Sequence, residues 1–585
     1  MRTREPSFFA IFRKPRLDPI QLDRDVARIE GYYHSVGYFD AAVRLERIDY
    51  LEDGRFADIY ITVNEGEPTI IRSIRFTGDT LLEANELRKG LLLKEGDPYN
   101  ASLLDTDIYT IKVKYFNRGY LGVAVVDSVD IEGHRVDLRY RVEPGTQIRV
   151  RSIDIKGNEI IGDRVIRKEI TFEPGDLCRL EKLIETQRNL FETGLFSVVD
   201  IEPVNLDPLE RTVDISIDVR ERKPRYVEVG FGVGNILGSR VLGEFGTRNL
   251  FGTGRMLRVK SEYAYDLFEG DQIDFGRLQF ENTYYRYDAE IQQRRVFGTK
   301  QLVSLSAFYE KDATVEDIRV KTIGASISTT RRVSRFTDFI VGLSHERIRR
   351  RAFGNPEEES TSRIASGSIA HDTRDFILNP RTGAYRVLRL EGAGGILGGD
   401  NDFYTVSTTY QRYHSIGKGV VFAWRARVGY ADAFGGSADT GVPIENRYFA
   451  GGGNSVRGYD DNSLGPRAVL DGGEDPVPVG GRVLMLTNVE LRYPVPLLSR
   501  INISGAVFLD GGNVWTAFKS LTPRNFRLWA DEDEMAQQDY RYSVGLGLRY
   551  NTPVGPIRLD FGYPIKRDNV VDDDGRFHIN LGQIF

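Results

Sequence analysis

Tyr540-Arg541-Tyr542-Ser543-Val544-Gly545-Leu546-Gly547-Leu548-Arg549-Tyr550-Asn551 alternates at every step. On an extended chain Tyr540, Tyr542, Val544, Leu546, Leu548 and Tyr550 share one face. Arg541, Ser543, Gly545, Gly547, Arg549 and Asn551 share the other, so one side is apolar and the other polar. The next two segments repeat the pattern: Ile557, Leu559, Phe561 and Tyr563 lie opposite Arg558, Asp560 and Gly562, and Phe577, Ile579, Leu581 and Phe585 opposite His578, Asn580 and Gly582. Upstream, Ile503, Val507 and Leu509 oppose Asn502, Ser504 and Asp510. A soluble sandwich also alternates, but its strands are shorter and it has no use for arginine on the enclosed side. Strands of roughly ten residues with aromatics near their ends fit a closed sheet in lipid, with a greasy outside and a wet bore.

The same texture begins near Arg225, where helical periodicity disappears. From Tyr226 to Phe585 about 17 candidate strands of about 9 to 14 residues can be drawn. Single-chain bacterial barrels favour even numbers, so two neighbours between Gly270 and Val296 are expected to merge, giving a 16-stranded antiparallel transmembrane β-barrel over residues 223–585. In the first strand Val227, Val229, Phe231 and Val233 alternate with Gly230, Gly232 and Gly234. Glycine weakens a strand and lets it bend. The seam between this strand and Phe577, Ile579, Leu581, Gly582 and Phe585 is therefore expected to be the weakest pairing in the barrel.

Ahead of the barrel the chain repeats itself. Glu65-Gly66-Glu67-Pro68 and Ile71-Arg72-Ser73-Ile74 return as Glu143-Pro144-Gly145 and Val150-Arg151-Ser152-Ile153, with Gly66 to Gly145, Gly78 to Gly157 and Gly96 to Gly175 all 79 residues apart. One unit reads as a strand (Ile71 to Phe76), a short helix (Leu82 to Leu92), a longer helix (Ala101 to Asn117) closed by Gly119, and two strands (Gly122 to Ile131, Arg135 to Val142). These are small α+β modules at 67–145 and 146–222, whose helices cover one sheet face and leave the other face and an edge free for partners. Residues 1–66 form a first module with a helix (Leu22 to Val36) and two strands (Ala42 to Asp49, Ala57 to Val63), but without a recognisable opening strand. Either residues 1–20 supply that strand irregularly or the gene start lies upstream, together with an export signal.

Composition narrows the function. Lys plus Arg total 79 and Asp plus Glu 85, a net charge of −6 that argues against a nucleic-acid-binding protein. No window approaches the roughly 18 apolar residues of a spanning helix. Cys178, the one cysteine, excludes an internal disulfide and a multi-cysteine metal site, and reads as a packed apolar residue. The six histidines, at 34, 134, 345, 371, 414 and 578, are scattered, and the Asp572 to Asp574 run lacks calcium-loop spacing. No catalytic constellation, cofactor or metal site is expected.

Residues 435–481 form a 47-residue link without clear secondary structure, and such a loop is usually functional or disordered. It holds Tyr448-Phe449-Ala450-Gly451-Gly452-Gly453-Asn454-Ser455-Val456-Arg457-Gly458-Tyr459, whose aromatics and arginine argue against disorder. No Gly-Lys-Ser/Thr follows, so it is not a phosphate loop.

The Val456-Arg457-Gly458-Tyr459 tetrapeptide, Asp510-Gly511-Gly512-Asn513-Val514-Trp515, Thr552-Pro553-Val554-Gly555-Pro556, the terminal Phe585 and the repeated modules together resemble the Omp85 superfamily. Its members are outer-membrane assembly and translocation proteins with POTRA (polypeptide-transport-associated) modules. Three modules in a chain of this size resemble its TamA-like branch, with the BamA-like branch as longer relatives. The resemblance implies that the long loop folds back into the barrel and that its arginine meets acidic residues of the inner wall. Strand parity supplies the candidates, Glu490 and Asp510, as lumen partners of Arg457; the bland alternative is a solvated arginine on an external loop.

The resemblance further implies a non-enzymatic protein of the bacterial outer membrane, with its modules in the periplasm. It would insert or export client proteins through the barrel seam without a nucleotide, in contact with outer-membrane lipid and with an accessory subunit in the periplasm or inner membrane. Alternatives are a passive porin or receptor barrel, and a two-partner secretion transporter, whose known members commonly carry two modules and a plug helix.

Overall fold

The computed structural model describes residues 17–51, 56–78, 81–234, 238–265, 284–299, 301–315, 318–352, 355–417, 419–469, 476–495, 498–527, 539–552, 555–565 and 575–581. Gly582 and Phe585 of the expected seam, residues 1–16 and Asp572 to Asp574 lie outside them. The chain divides into two compact units, residues 1–222 and 223–585.

The amino-terminal unit holds, in order, a helix with a β-hairpin at the place expected of a first module, and then two full modules. In the first, α1 (Pro19–Ser35) starts on an Asp18 cap, whose carboxylate accepts the Ile20 N–H at 3.0 Å, with proline in the first turn. A hairpin of β1 (Ala42–Leu51) and β2 (Phe56–Asn64) follows. The second module runs β3 (Ile70–Gly78), α2 (Ala84–Arg88), α3 (Leu104–Phe116), β4 (Ala124–Glu132) and β5 (Arg135–Glu143). Its sheet is ordered β3-β5-β4, with β3 parallel to β5 and β4 antiparallel. The third repeats it with β6 (Arg149–Lys156), α4 (Asp163–Arg167), α5 (Leu180–Glu192), β7 (Phe196–Asp207) and β8 (Thr212–Glu221), ordered β6-β8-β7. The short helix is briefer than its sequence pattern, because the chain turns at Gly90 with φ +80°.

The 79-residue period reaches into side-chain chemistry. A bulge falls between Ile71 and Ser73 and again between Val150 and Ser152. At each, an arginine and a serine reach the next strand's aspartate: Arg72 and Ser73 hold Asp137, Arg151 and Ser152 hold Asp214. Those bonds keep both carboxyls well below the usual aspartate range. The closing glycines also join the modules, since the Gly37 carbonyl accepts the Thr69 N–H at 2.7 Å and the Gly119 carbonyl the Ile148 N–H at 2.8 Å. At Gly37, with φ +97°, an added Cβ would lie 2.6 Å from the Tyr99 carbonyl oxygen, so no side chain fits. Cys178 is buried in the third module's core, and burial pushes its thiol up to about 11.

The second unit is a 16-stranded antiparallel sheet. Its strands are β9 (Arg225–Gly234), β10 (Gly238–Leu250), β11 (Arg255–Tyr265), β12 (Tyr284–Arg294), β13 (Gln301–Val315), β14 (Ile318–Ser334), β15 (Thr337–Ala352), β16 (Glu358–Asp372), β17 (Gly383–Ala393), β18 (Phe403–Gly417) and β19 (Val420–Ala433). After the long loop, which carries a small hairpin of β20 (Arg467–Val469) and β21 (Pro476–Pro478), come β22 (Val483–Pro494), β23 (Ile503–Trp515), β24 (Arg541–Thr552), β25 (Gly555–Pro564) and β26 (Arg576–Leu581). Every strand pairs with its sequence neighbour except that β19 pairs with β22 across the loop. Curling brings the last strand, β26, into contact with the first, β9.

The outward face is apolar, with Val227, Val229, Leu343, Leu546 and Phe577 exposed, whereas Glu490, Asp510, Arg549 and Asp560 on the opposite parity are fully buried or nearly so.

Three expectations change. Several strands exceed 14 residues, up to 17 in β14, because alternation continues past the apolar band into polar rungs. The loop is not without secondary structure: β20 and β21 pair although Pro476 and Pro478 obscure the strand signal. Tyr540 lies on the outward side with Tyr542, their rings 5.0 Å apart and its hydroxyl 2.8 Å from Thr487 Oγ1, but it is covered instead of facing lipid. It precedes β24 and is 3% exposed, stacked on Trp515 at 6.4 Å between centroids. Of the Gly270 to Val296 stretch, residues 270–283 lie outside the described ones, and the remainder holds one strand, β12.

Candidate functional site: the inserted loop and the barrel seam

Arg457 is completely buried. Its guanidinium is held in a fork by Asp510 on β23, with Nε 2.6 Å from Oδ2 and Nη2 2.8 Å from Oδ1. Nη1 donates to Glu490 Oε2 on β22 at 2.7 Å and lies 3.5 Å from Asp560 Oδ2 on β25. The plane of the group sits 3.4 Å above the centroid of Phe508, a cation–π contact strengthened by desolvation. Its own backbone N–H also donates to Asp510 at 3.1 Å. The structure thus brings together Arg457, Glu490 and Asp510.

Around that centre, cations and anions interleave. Arg492 Nε and Arg549 Nη2 donate to Glu490 at 2.8 and 3.0 Å, and Arg549 Nη1 to Asp560 at 2.5 Å. Arg558 bonds the Asn454 side chain of the loop at 2.8 Å, while Arg425 on β19 bonds the Asn454 carbonyl at 2.9 Å. Four guanidinium groups (457, 492, 549, 558) therefore face three carboxylates (490, 510, 560), all buried by protein. Charges so buried are tolerated because opposite signs alternate at hydrogen-bonding distance.

The rest of the tetrapeptide is also fixed. Val456 packs among Leu484, Leu486 and Val514. The Gly458 N–H donates to His578 Nε2 on β26 at 2.9 Å, and the Tyr459 hydroxyl to the Tyr542 carbonyl at 3.1 Å. Gly458 adopts φ +96° and lies flat on Gly562 of β25, where an added Cβ would sit 2.5 Å from the Gly458 nitrogen. Asp460 pairs with Arg576 of β26. The loop tip thus touches the wall from β19 through β26.

Asp560, Arg549, Arg558, His578, Phe508 and Gly562 were not singled out as loop contacts from the sequence. All but Phe508 lie on faces already read as polar, and Phe508 carried a signal of its own, an aromatic at inward parity two residues from Asp510.

The seam differs from every other strand pair. β9 forms a ten-rung ladder with β10, and β26 a six-rung ladder with β25. Between β9 and β26 the described residues contact each other without a ladder. Val227, Val229 and Phe231 on one edge, and Phe577 and Ile579 on the other, are exposed on the outer face, while Gly230 and Gly232 face the bore. Gly234 ends β9, and Leu581 is the last described residue of β26, its backbone paired with Ile557.

An apolar-faced, 16-stranded sheet with a charged, loop-filled bore, following tandem α+β modules, defines a transmembrane barrel protein. The chain belongs to the Omp85 superfamily: the model of the Omp85 superfamily domain matches residues 249–585, and that of the surface antigen variable number repeat, the POTRA module, matches 69–145 and 148–222. It is 26% identical to the outer membrane protein assembly factor BamA of Nitratidesulfovibrio vulgaris, over 96% of this chain and 68% of the relative. To BamA of Neisseria meningitidis it is 23% identical, over 96% of this chain and 72% of the relative. These relatives fall in the BamA-like branch, where module count had pointed first to the TamA-like one. The crystal structure of Haemophilus ducreyi BamA lacking POTRA domains 1–3 shares the fold at TM-score 0.68 and 22% identity, covering 88% of this chain and 99% of that one. The protein is an outer-membrane barrel with its modules in the periplasm.

Proposed function

We propose that this protein assembles or exports client outer-membrane proteins through its barrel seam, without catalytic chemistry and without a nucleotide. The observation that carries the reading is the β9–β26 edge, where the described residues of two strands meet without a hydrogen-bonded ladder. An exposed edge is a template for another strand. A client strand that pairs there gains a full ladder, and the free energy of its own folding supplies the drive. The modules supply a second set of edges: β4 bounds its sheet with Val126 and Ile131 exposed, suited to hold an extended client by strand addition. Accessory subunits would dock on the same unit. In this reading Arg457, bonded to Glu490 and Asp510, positions the loop against the strands next to the seam.

The test locks the seam. In a Cys178→Ser background, Val229→Cys with Ile579→Cys is oxidised in membranes, and insertion of a client barrel is followed by its heat-resistant migration. Insertion should fall on oxidation and return on reduction. Undiminished insertion by the cross-linked protein removes the seam from the mechanism, and steady solute flux with no effect on client folding supports a passive pore instead.

A further inference from the structure

The outward face of the barrel is not apolar along its whole height. On β14 and β15 the exposed apolar residues Ile327, Val341 and Leu343 give way to a cluster of cations. The ladder register fixes their arrangement. One rung crosses four strands as Lys311, Lys321, Arg349 and Glu359; the rung nearer the apolar band reads Tyr309, Ile323, Arg347 and Thr361; on the far side Arg319 is paired with Arg351. Lys321, Arg347, Arg349 and Arg351 are exposed, with 61% of the Arg347 side chain and 54% of the Arg349 side chain accessible.

Like charges directly opposite on neighbouring strands repel. Lys321 and Arg349 stand side by side, and Arg347 and Arg349 share the Glu359 carboxylate at 2.9 and 3.1 Å. Height supplies the second argument. Tyr287 and Tyr309, paired on β12 and β13, occupy the same rung as Ile323 and Arg347. Tyrosines at a strand's lipid face mark the membrane–water boundary. Arg347 is therefore level with that boundary, and Lys321 and Arg349 stand one rung above it. Counting antiparallel strands from Arg225, where the chain leaves the periplasmic modules, puts this rim on the outer side of the membrane.

We infer that Lys321, Arg347 and Arg349, with Arg351 beside them, form a binding site for the phosphorylated headgroup of an outer-leaflet lipid. Guanidinium forks match phosphate oxygens bidentately, and lysine adds a point charge. Filling the site relieves the cation–cation repulsion between β14 and β15, and its lipid seats its chains on the apolar band directly below. The inference rests on the membrane-barrel assignment, not on client assembly, so a barrel that inserts no client would still bind.

The experiment titrates fluorescent diphosphorylated lipid A into the full-length protein in a zwitterionic detergent, beside lipid A stripped of both phosphates. The intact lipid should bind at least tenfold more tightly, with affinity falling as salt rises. Lys321→Gln/Arg347→Gln/Arg349→Gln should remove at least tenfold, whereas Arg331→Gln/Arg332→Gln at the opposite rim should change binding less than twofold. Inorganic phosphate at millimolar concentration should not displace the lipid. Equal binding of the two lipids, unchanged binding by the triple variant, or displacement by free phosphate overturns the inference. Should the triple variant fail to fold, Arg349→Gln alone and the two-lipid comparison on the unaltered protein decide it.

Discussion

Replacing Arg457 by alanine distributes its cost unevenly. Glu490 keeps Arg492 and Arg549, at 2.8 and 3.0 Å. Asp510 loses the whole fork and keeps only the backbone N–H of residue 457 at 3.1 Å. The penalty is therefore that of one buried, nearly unpartnered carboxylate, about 3–5 kcal/mol when a buried pair is broken. The three remaining guanidinium groups and three carboxylates are then equal in number, which places the expectation at the lower end, about 3 kcal/mol. At about 1.4 kcal/mol per factor of ten, the detached-loop population rises more than 100-fold. Hydrogen exchange at the Val456 to Tyr459 amides, read by mass spectrometry on protein in detergent, should accelerate by that factor. Arg457→Lys retains charge but not the fork and should fall between. In a double-mutant cycle, Arg457→Ala with Asp510→Asn should cost less than the sum of the singles by about 1–3 kcal/mol. Acceleration under threefold in Arg457→Ala, or strict additivity in the cycle, refutes the view that this ion pair holds the loop.

Gly562→Ala places a methyl 2.5 Å from the Gly458 nitrogen and 2.6 Å from the Arg457 carbonyl carbon. Both are backbone atoms, so the loop tip must shift, at a cost of about 1–3 kcal/mol; an unchanged thermal midpoint in detergent contradicts this contact. His578→Phe leaves the Gly458 N–H buried without its acceptor, about 1–3 kcal/mol, whereas His578→Gln offers a side-chain carbonyl in its place. Equal exchange rates at Gly458 in the two variants would show that the histidine is only filler. In the modules, Asp137 and Asp214 are held low by Arg72 with Ser73 and by Arg151 with Ser152. A depressed folded-state value stabilises above the unfolded value of about 3.9 and is lost as pH falls through the folded one, so module stability should decline progressively below about pH 4. Labelling of the buried Cys178 thiol by an acid-active disulfide reagent reports opening of the third module. Its rate should climb between about pH 5 and 2, and less steeply in Arg151→Ala; parallel profiles would dismiss the bulge pair.

The barrel was legible because lipid imposes a rule on every second residue: Val544, Leu546 and Leu548 must be greasy, and Arg541, Ser543 and Arg549 need water or partners. The rule fails where a strand leaves the bilayer. Tyr540 keeps the outward parity of Tyr542 yet is buried, since beyond the apolar band Trp515 and Phe526 pack over it. Parity likewise placed Glu490 and Asp510 inside but was silent on which inner residues the loop reaches. Arg558, Asp560 and His578 carry the same inward signal as residues the loop never touches. Only the path of the backbone distinguishes them, and that path depends on Gly458 meeting Gly562 with no side chain between, a tertiary coincidence that no single-segment pattern encodes.

That path ties the loop to the seam strand. Among the described residues, β26 is held on one side by six rungs to β25 and on the other by contact with β9 alone. The loop adds two polar ties to the same strand, Gly458 to His578 and Asp460 to Arg576, and lays Gly453 on His578 and Asn580, where an added Cβ would lie 2.4 Å from the Asn580 amide nitrogen. The arginine that anchors the loop to β22 and β23 thus sits one residue from the amide that anchors it to β26. In the proposed mechanism, freeing Arg457 is expected to loosen the edge strand with every rung of its ladder intact, and a β26 that swings away from β9 would pull on the Gly458 amide and so on the buried ion cluster. Loop and seam can be perturbed separately by substitution, and a cross-link of the seam that slows exchange at the Gly458 amide is the result expected if the two move together.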